Sequence, residues 1–301
     1  MKTIDLQFQG HGRVIATAML EGPSGLALVD PGPSSTLHAL ESGLRAEGRE
    51  LNDVKALLLT HIHLDHAGAS GTLAARVPAL RVYVHERGAP HMIDPSKLMN
   101  SAQRLYGERM DSLWGEMRPV PADRIDVLRG GERLELVGRT LQVAYTPGHA
   151  SHHVSYLDHS SGIAYVGDTA GIRRVGNYIV APTPPPDIDL EAWEPSLKII
   201  EGWRASALFL THFGTVTDVA EHLRRFRTVL DASARRVKAT LAWEGSDEAR
   251  ITRFVEDMRA EVRREMREED ARSFEMAAPF EQLWLGLARY WRKKPGLLRL
   301  E

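Results

Sequence analysis

Four side chains able to ligate a metal crowd into the six residues His61 to His66, within Thr60-His61-Ile62-His63-Leu64-Asp65-His66, directly after the apolar run Val54 to Leu59. Imidazole nitrogens and a carboxylate are the donors that zinc and related first-row cations prefer, and packing gives no reason to gather them at the mouth of a buried strand. A lone histidine beside a strand is more often a satisfied polar residue. Three with an aspartate reverse that reading. A histidine-rich tag is excluded by position, because the cluster lies inside a strand, loop and helix pattern far from either terminus. The chemistry expected is metal-assisted.

The same local grammar recurs at His149 in Thr146-Pro147-Gly148-His149, at Asp168 in Tyr165-Val166-Gly167-Asp168, and at His212 in Leu210-Thr211-His212. Each ends an apolar strand, where a rigid sheet can hold a ligand to the tolerance a metal demands. Seven donors exceed what one tetrahedral ion needs. They suit two divalent ions sharing a carboxylate and a water, about 3.5–4 Å apart. Zinc is the first expectation, with manganese or iron as alternatives.

In this order, His61-x-His63-x-Asp65-His66, His149, Asp168 and His212 resemble the metallo-β-lactamase-fold superfamily, and Asp30-Pro31-Gly32 is similar to the Asp-x-Gly turn that precedes the metal motif there. The resemblance covers roughly residues 3 to 217. It implies an α+β fold, a four-layer αββα sandwich of two mixed sheets with helices outside and the metals at one sheet edge. It also implies His61, His63 and His149 on one metal, Asp65, His66 and His212 on the other, and Asp168 bridging both. The Asp-His pair and a bridging aspartate in a chain without cysteine resemble the glyoxalase II and lactonase branches. His63 stands where flavodiiron proteins place a glutamate, which argues against that branch.

The implied activity is hydrolysis of an ester-like bond (thioester, lactone or related acyl ester) by a metal-bridging hydroxide, with Asp65 or Asp168 as the catalytic carboxylates that orient the nucleophile or handle a proton. Two other activities are carried by similar ligand sets: a persulfide dioxygenase-like oxidoreductase on a single iron, and a phosphodiesterase or RNA-processing nuclease on the same fold. After Asp168 the chain lacks both the Cys-Gly-Arg-Phe-like stretch of many glutathione thioesterases and the early tyrosine of many acyl-homoserine lactonases. Tyr178 is the candidate replacement for that tyrosine. Arg173, with Arg174, is a candidate clamp for an anionic tail, Trp114 a candidate pocket wall, and His153, with His152, a candidate partner of the ligands or substrate. His85, His91, His159 and His222 have no ligand context and are read as structural.

The elements that must position these residues read as short strands over Ile4–Phe8, Arg13–Leu20 and Gly25–Val29, a helix to Ala46, and the buried strand Val54–Leu59. Between about residues 86 and 124 the strand rhythm stops, and apolar residues at helical spacing from Leu98 to Met117 form a helical insertion. It is expected to pack on the body, with a movable lid as the sharper alternative. Strands return from Ile125 to Val166, a helix spans Leu190–Gly202, and Ala207–Leu210 is one more buried strand. Residues 1–217 are thus the catalytic domain and 218–301 a helical extension, with helices over Asp218–Leu230, Ser246–Glu269 and Ser273–Trp291. The aromatic group at Trp284, Tyr290 and Trp291 is expected to pack that extension on the body, a homodimer contact being the second reading.

With 301 residues, 43% hydrophobic and 26% charged, the chain can bury a large core. Its net charge of -2 offers no basic footprint for nucleic acid, so a small-molecule substrate is expected. Absence of cysteine removes disulfides, thiolate ligands and a cysteine nucleophile, and fits a reducing cytoplasm. The first residues alternate like a strand, and no window approaches the ~20 apolar residues that span a bilayer. No membrane partner is expected.

Overall fold

The computed structural model describes residues 1–294; residues 295–301, the end of the expected extension, lie outside the described residues. Two six-stranded sheets face each other. The first contains β1 (Lys2–Asp5), β2 (Ala16–Gly22), β3 (Gly25–Val29), β4 (Val54–Leu58), β5 (Arg81–His85) and β6 (Ile125–Leu128), side by side in chain order. The second contains β7 (Arg133–Leu136), β8 (Arg139–Tyr145), β9 (Val154–Asp158), β10 (Ile163–Tyr165), β11 (Ala207–Leu210) and β12 (Gly214–Val216), again as neighbours in chain order.

Period-two alternation explains the layers. On the first sheet Ala16, Ala18, Ala27, Val29, Ala56 and Leu58 point at the second sheet, whose Val143, Val154, Tyr156, Tyr165 and Phe209 meet them. Small side chains on one face receive large aromatics from the other, so the two faces interdigitate. The intervening residues Leu26, Leu28, Leu57 and Leu59 face outward, under α1 (Leu37–Ala46), α3 (Ser70–Arg76) and the insertion. The insertion holds α4 (Ala89–Ile93), α5 (Ser96–Tyr106) and α6 (Met110–Trp114), with Trp114 stacked on Phe8. A four-residue helix, α2 (Leu64–Ala67), follows β4.

The outer face of the second sheet is covered by α7 (Leu190–Gly202), α8 (Val219–Thr240), α9 (Asp247–Glu265), α10 (Glu268–Ala277) and α11 (Phe280–Arg292) in one apolar cluster centred on Trp193, Phe226 and Trp284. These layers form an αββα sandwich with a helical C-terminal segment. Trp284 and Leu287 are fully buried, and the Trp284 and Trp291 indoles donate to Thr240 Oγ1 and the Ala234 carbonyl, so this aromatic group packs on α8.

Several boundaries differ from the reading of the sequence, among them a break at Met266–Arg267 inside the helix expected over Ser246–Glu269. The first strand ends at Asp5, where a short 3-10 turn at Phe8–Gly10 intervenes. The helix beginning near 219 runs on to Thr240, as its buried Leu223, Phe226, Leu230, Ala234 and Val237 keep one face apolar. The last expected helix is split at Ala278–Pro279, because a proline ring clashes with the preceding turn and lacks the N–H to continue it. Among the described residues no helix is long and apolar enough to cross a membrane.

Candidate metal centre

Strand direction brings the ligands together. β3 and β4 run parallel, β10 and β11 run parallel, and β8 and β10 are each antiparallel to β9, so β8, β10 and β11 point the same way. The segments after β3, β4, β8, β10 and β11 carry Asp30, His61, His149, Asp168 and His212 to one rim of the sandwich. Asp65 and His66 ride on α2, and His63 caps its start.

Three donor groups form there: His61 with His63 and His149, His61 with His66 and Asp168, and Asp65 with His66 and His212, the ligand atoms of each lying within 4.8 Å of one another. His61 Nε2 and His149 Nε2 are each 3.0 Å from His63 Nδ1. Asp168 reaches both sides, with Oδ2 3.5 Å from His149 Nε2 and Oδ1 3.4 Å from His66 Nε2 and 3.7 Å from His212 Nε2. Asp65 Oδ2 lies 3.3 Å from His212 Nε2.

The outer nitrogens fix the tautomers. His149 Nδ1 donates to the Pro182 carbonyl at 2.8 Å, His212 Nδ1 to the Val14 carbonyl at 2.7 Å and His66 Nδ1 to Asp30 Oδ2 at 2.8 Å. Thr60 gives its hydroxyl hydrogen to Asp30 Oδ2, so it accepts from His61 Nδ1 at 3.1 Å. Each Nε2 therefore turns a lone pair inward. Asp30 is the keystone. It is fully buried at φ 51°, and its carboxylate accepts from the Thr60 amide and from the Thr60, Thr211 and His66 side chains.

A cation fits this donor set. His66 Nε2, His212 Nε2 and Asp168 Oδ1 are buried without a hydrogen-bond partner among the described residues. Buried polar atoms are otherwise nearly always paired, so three orphans converging on one point mark the place of an ion. Burial also holds His61 well below the ordinary imidazole range and, with His149 beside it, pulls His63 down to about 3. Burial lowers His149 as well, despite the Asp168 carboxylate beside it. At His66 and His212 burial is outweighed by the nearby Asp168 and Asp65 carboxylates, which raise both. Burial opposes ionisation of Asp65 and Asp168, yet the surrounding imidazoles hold Asp65 down to about 2 and Asp168 well below the carboxylate range.

A cavity of about 340 Å³ opens over His63, Asp65, His149 and Asp168. Trp114 contributes to its wall, together with Leu98, Leu105 and Tyr106 of α5. The insertion thus packs on the body and walls the site at once. The other substrate-side candidates are corrected by their placement. Tyr178 donates to Glu261 at 2.9 Å and packs against Phe274, outside the cavity lining. Arg173 is committed to Asp218 at 2.7 Å and to Asn177, while Arg174 is buried among the Gly12 and Arg13 carbonyls and Ser273 Oγ.

His153 lies behind the ligands, where its Nε2 accepts from the Asp168 amide at 3.3 Å and its Nδ1 meets Thr146 and Thr169. It positions the Asp168 loop and does not line the cavity; its neighbour His152 does. The work of Asp30 was not legible beyond its turn. Its signal was present: Thr60 and Thr211 each precede a ligand, and both hydroxyls return to Asp30.

Comparison with known proteins accords with this geometry. The family model of the metallo-beta-lactamase superfamily matches residues 12–212. The chain belongs to that superfamily. It is 29% identical over 203 residues to the metallo-beta-lactamase fold-containing protein ST1585 of Sulfurisphaera tokodaii, a match covering 66% of this chain and 73% of that one. The crystal structure of ST1585 superposes with a TM-score of 0.64 at 21% identity, covering 95% and 97% of the two chains, a likeness of fold.

Two further relatives carry activity in their names. The thioesterase pkgB of Emericella nidulans is 24% identical over 238 residues, covering 79% of this chain and 56% of its own. Hydroxyacylglutathione hydrolase GloC of Haemophilus influenzae is 29% identical over 151 residues, covering 49% of this chain and 64% of its own. The chain thus spans less than two thirds of either relative. Membership of this superfamily and the histidine and aspartate cluster at the rim agree on a metal-binding site.

Proposed function

We propose that the protein hydrolyses an ester-like acyl bond, thioesters first, with two divalent cations in the site. The observation that carries this is the pair of triads, His61–His63–His149 and Asp65–His66–His212, with Asp168 facing both. Two triads and a carboxylate facing both offer enough donors for two ions, and metal content per chain separates this reading from a single-iron dioxygenase. The hydrolase relatives support a thioester, and the largely apolar cavity supports a small acyl substrate over nucleic acid.

His61, His63 and His149 would hold one ion, Asp65, His66 and His212 the other, and Asp168 both. When bound, such ions lower the pKa of a water toward about 7 and polarise the scissile carbonyl. The chain's own residues do the rest. Asp65, with a side chain 22% exposed, is placed to hold the attacking water in line and to take its proton. Asp30 and its threonines keep the imidazoles from turning. Water adds across the acyl carbon–sulfur bond: oxygen bonds carbon, the sulfur leaves, and the water's proton ends on the thiol.

The test is a panel of thioesters, lactones, aryl esters and phosphodiesters against protein loaded with zinc, manganese or iron and against chelator-stripped protein. Thioester or ester turnover restored by metal is expected. Turnover confined to phosphodiesters, or oxygen consumption with one iron per chain, contradicts the reading.

A further inference from the structure

The cavity over the metal centre has two unlike parts. One side is continuous hydrocarbon: Leu98, Ala102 and Leu105 from α5, Trp114 from α6, and Leu283 of α11 facing them. Helix α5 is tied to α11 by Tyr106, whose hydroxyl donates to Gln282 Oε1 at 3.2 Å, and Trp114 is pinned between Phe8 and Tyr106. These contacts make a fixed apolar slot. Its far wall is the end of α10 and the turn into α11, from Met276 to Pro279.

The other side is polar and cationic. Arg87 and Lys97, both exposed, line the rim beside His91, Ser151 and Asp187. Among the described residues neither cation takes part in an ion pair, although most of the arginines on the C-terminal helices do. Arg87 lies over the Tyr145 ring at 5.6 Å, and the rim acid Asp187 accepts from the Ser151 amide at 3.1 Å. Arg87, Ser151 and Asp187 also line a second hollow of about 300 Å³, whose charged residues further include Lys293, Lys294 and Asp189, the last accepting from the Glu191 and Ala192 amides. The apolar slot therefore continues past Arg87 into a polar cleft.

We propose that the substrate is an amphipathic acyl thioester, its apolar acyl chain lodged against Leu98, Leu105, Trp114 and Leu283 and an anionic thiol portion directed past Lys97 and Arg87 into the second cleft. This rests on the hydrolase reading for the position of the scissile bond between the two parts. A fully apolar substrate would leave two cations idle at the rim, and a small polar one would leave the slot unfilled.

The test separates binding from turnover. Uncleavable S-alkyl thioethers of mercaptoethanesulfonate and of neutral N-acetylcysteamine, with alkyl chains of increasing length, are titrated calorimetrically into the metal-loaded protein. Affinity is expected to rise about fourfold per methylene until the slot is full. The sulfonate series is expected to bind about fivefold more tightly than the neutral one at low salt. In the double variant Arg87→Ala, Lys97→Ala the sulfonate advantage disappears while the chain-length slope persists, and in Leu105→Asp the slope flattens.

An affinity independent of chain length, or equal for both thiols, overturns the proposal even if short neutral thioesters are hydrolysed. Conversely, the expected binding pattern without turnover of any thioester, lactone or aryl ester sinks the hydrolase reading and leaves the amphipathic ligand standing.

Discussion

Asp30 carries more of the metal centre than its distance from the ions suggests. Its two oxygens accept four hydrogen bonds, one from a ligand and the rest from residues adjoining His61 and His212. Asp30→Asn keeps the volume but breaks this pattern, since an amide cannot accept at both ends. Metal affinity is expected to fall about 10- to 100-fold, the usual loss for a partner of a metal ligand. Competition with a chromophoric chelator measures it; unchanged affinity would show that the imidazoles hold themselves. Asp168→Ala is the harsher change, because it removes the one carboxylate that faces both triads. Loss of at least half the bound metal and a fall in turnover of about 10³-fold or more are expected, the drop typical when a group acting at the reacting centre is removed. Elemental analysis and the thioester assay read both effects.

The clustered histidines and aspartates were legible because each stands just after a strand or on the short helix that follows β4, within a few positions of glycine, proline or threonine, signals that survive without a structure. The substrate side was not legible in this way. Arg173 and Tyr178 follow Asp168 closely in the chain, but the segment after Asp168 turns toward α8 and α9, where Asp218 and Glu261 claim them. Sequence proximity to a ligand predicts contact only while the backbone stays extended.

At the scale of elements, the insertion and the C-terminal helices meet over the site and depend on one another. The Tyr106–Gln282 hydrogen bond joins them, and Met276 packs at the same junction. Tyr106→Phe should cost about 1 kcal/mol at most, since it removes one hydrogen bond and little packing. Its clearer signature is faster amide exchange in α5 than in α3, whereas equal protection in the variant and the parent would mean that α5 is held by packing alone. The insertion is also clamped from below. A Cβ at Gly71 would stand 1.9 Å from the Arg118 carbonyl oxygen, so α3 and the chain leaving α6 touch backbone to backbone. Gly71→Ala should force them apart and destabilise the fold by about 1–3 kcal/mol, a cost read from thermal unfolding. Helical spacing from Leu98 to Met117 revealed that the insertion is helical. The position of its apolar face over the candidate metal site depends on a contact 176 residues away in the chain, Tyr106 to Gln282, and no local pattern encodes it.

For the whole molecule, the second sheet and the C-terminal helices share one core. Phe254, Phe274, Phe280, Trp284 and Leu287 pack with Trp193 and Phe226, and Trp284 donates to Thr240 of α8. The superfamily match ends at residue 212, and the helices beyond it pack into the same core as the second sheet. A chain truncated after Gly245 is expected to lose cooperative unfolding or to aggregate, because five large buried side chains, each worth about 1.5–3 kcal/mol of burial, would be missing and their partners exposed. A truncated chain that melts as sharply as the parent would make the extension dispensable.

The measurement that bears most directly on the metal centre is anomalous X-ray diffraction from crystals of the metal-loaded protein, collected above and below the absorption edge of the bound element. Two peaks are expected inside the rim, one among His61, His63 and His149, the other among Asp65, His66 and His212, with Asp168 in contact with both. A single peak, or none at saturating zinc, manganese and iron in turn, contradicts the paired-cation centre.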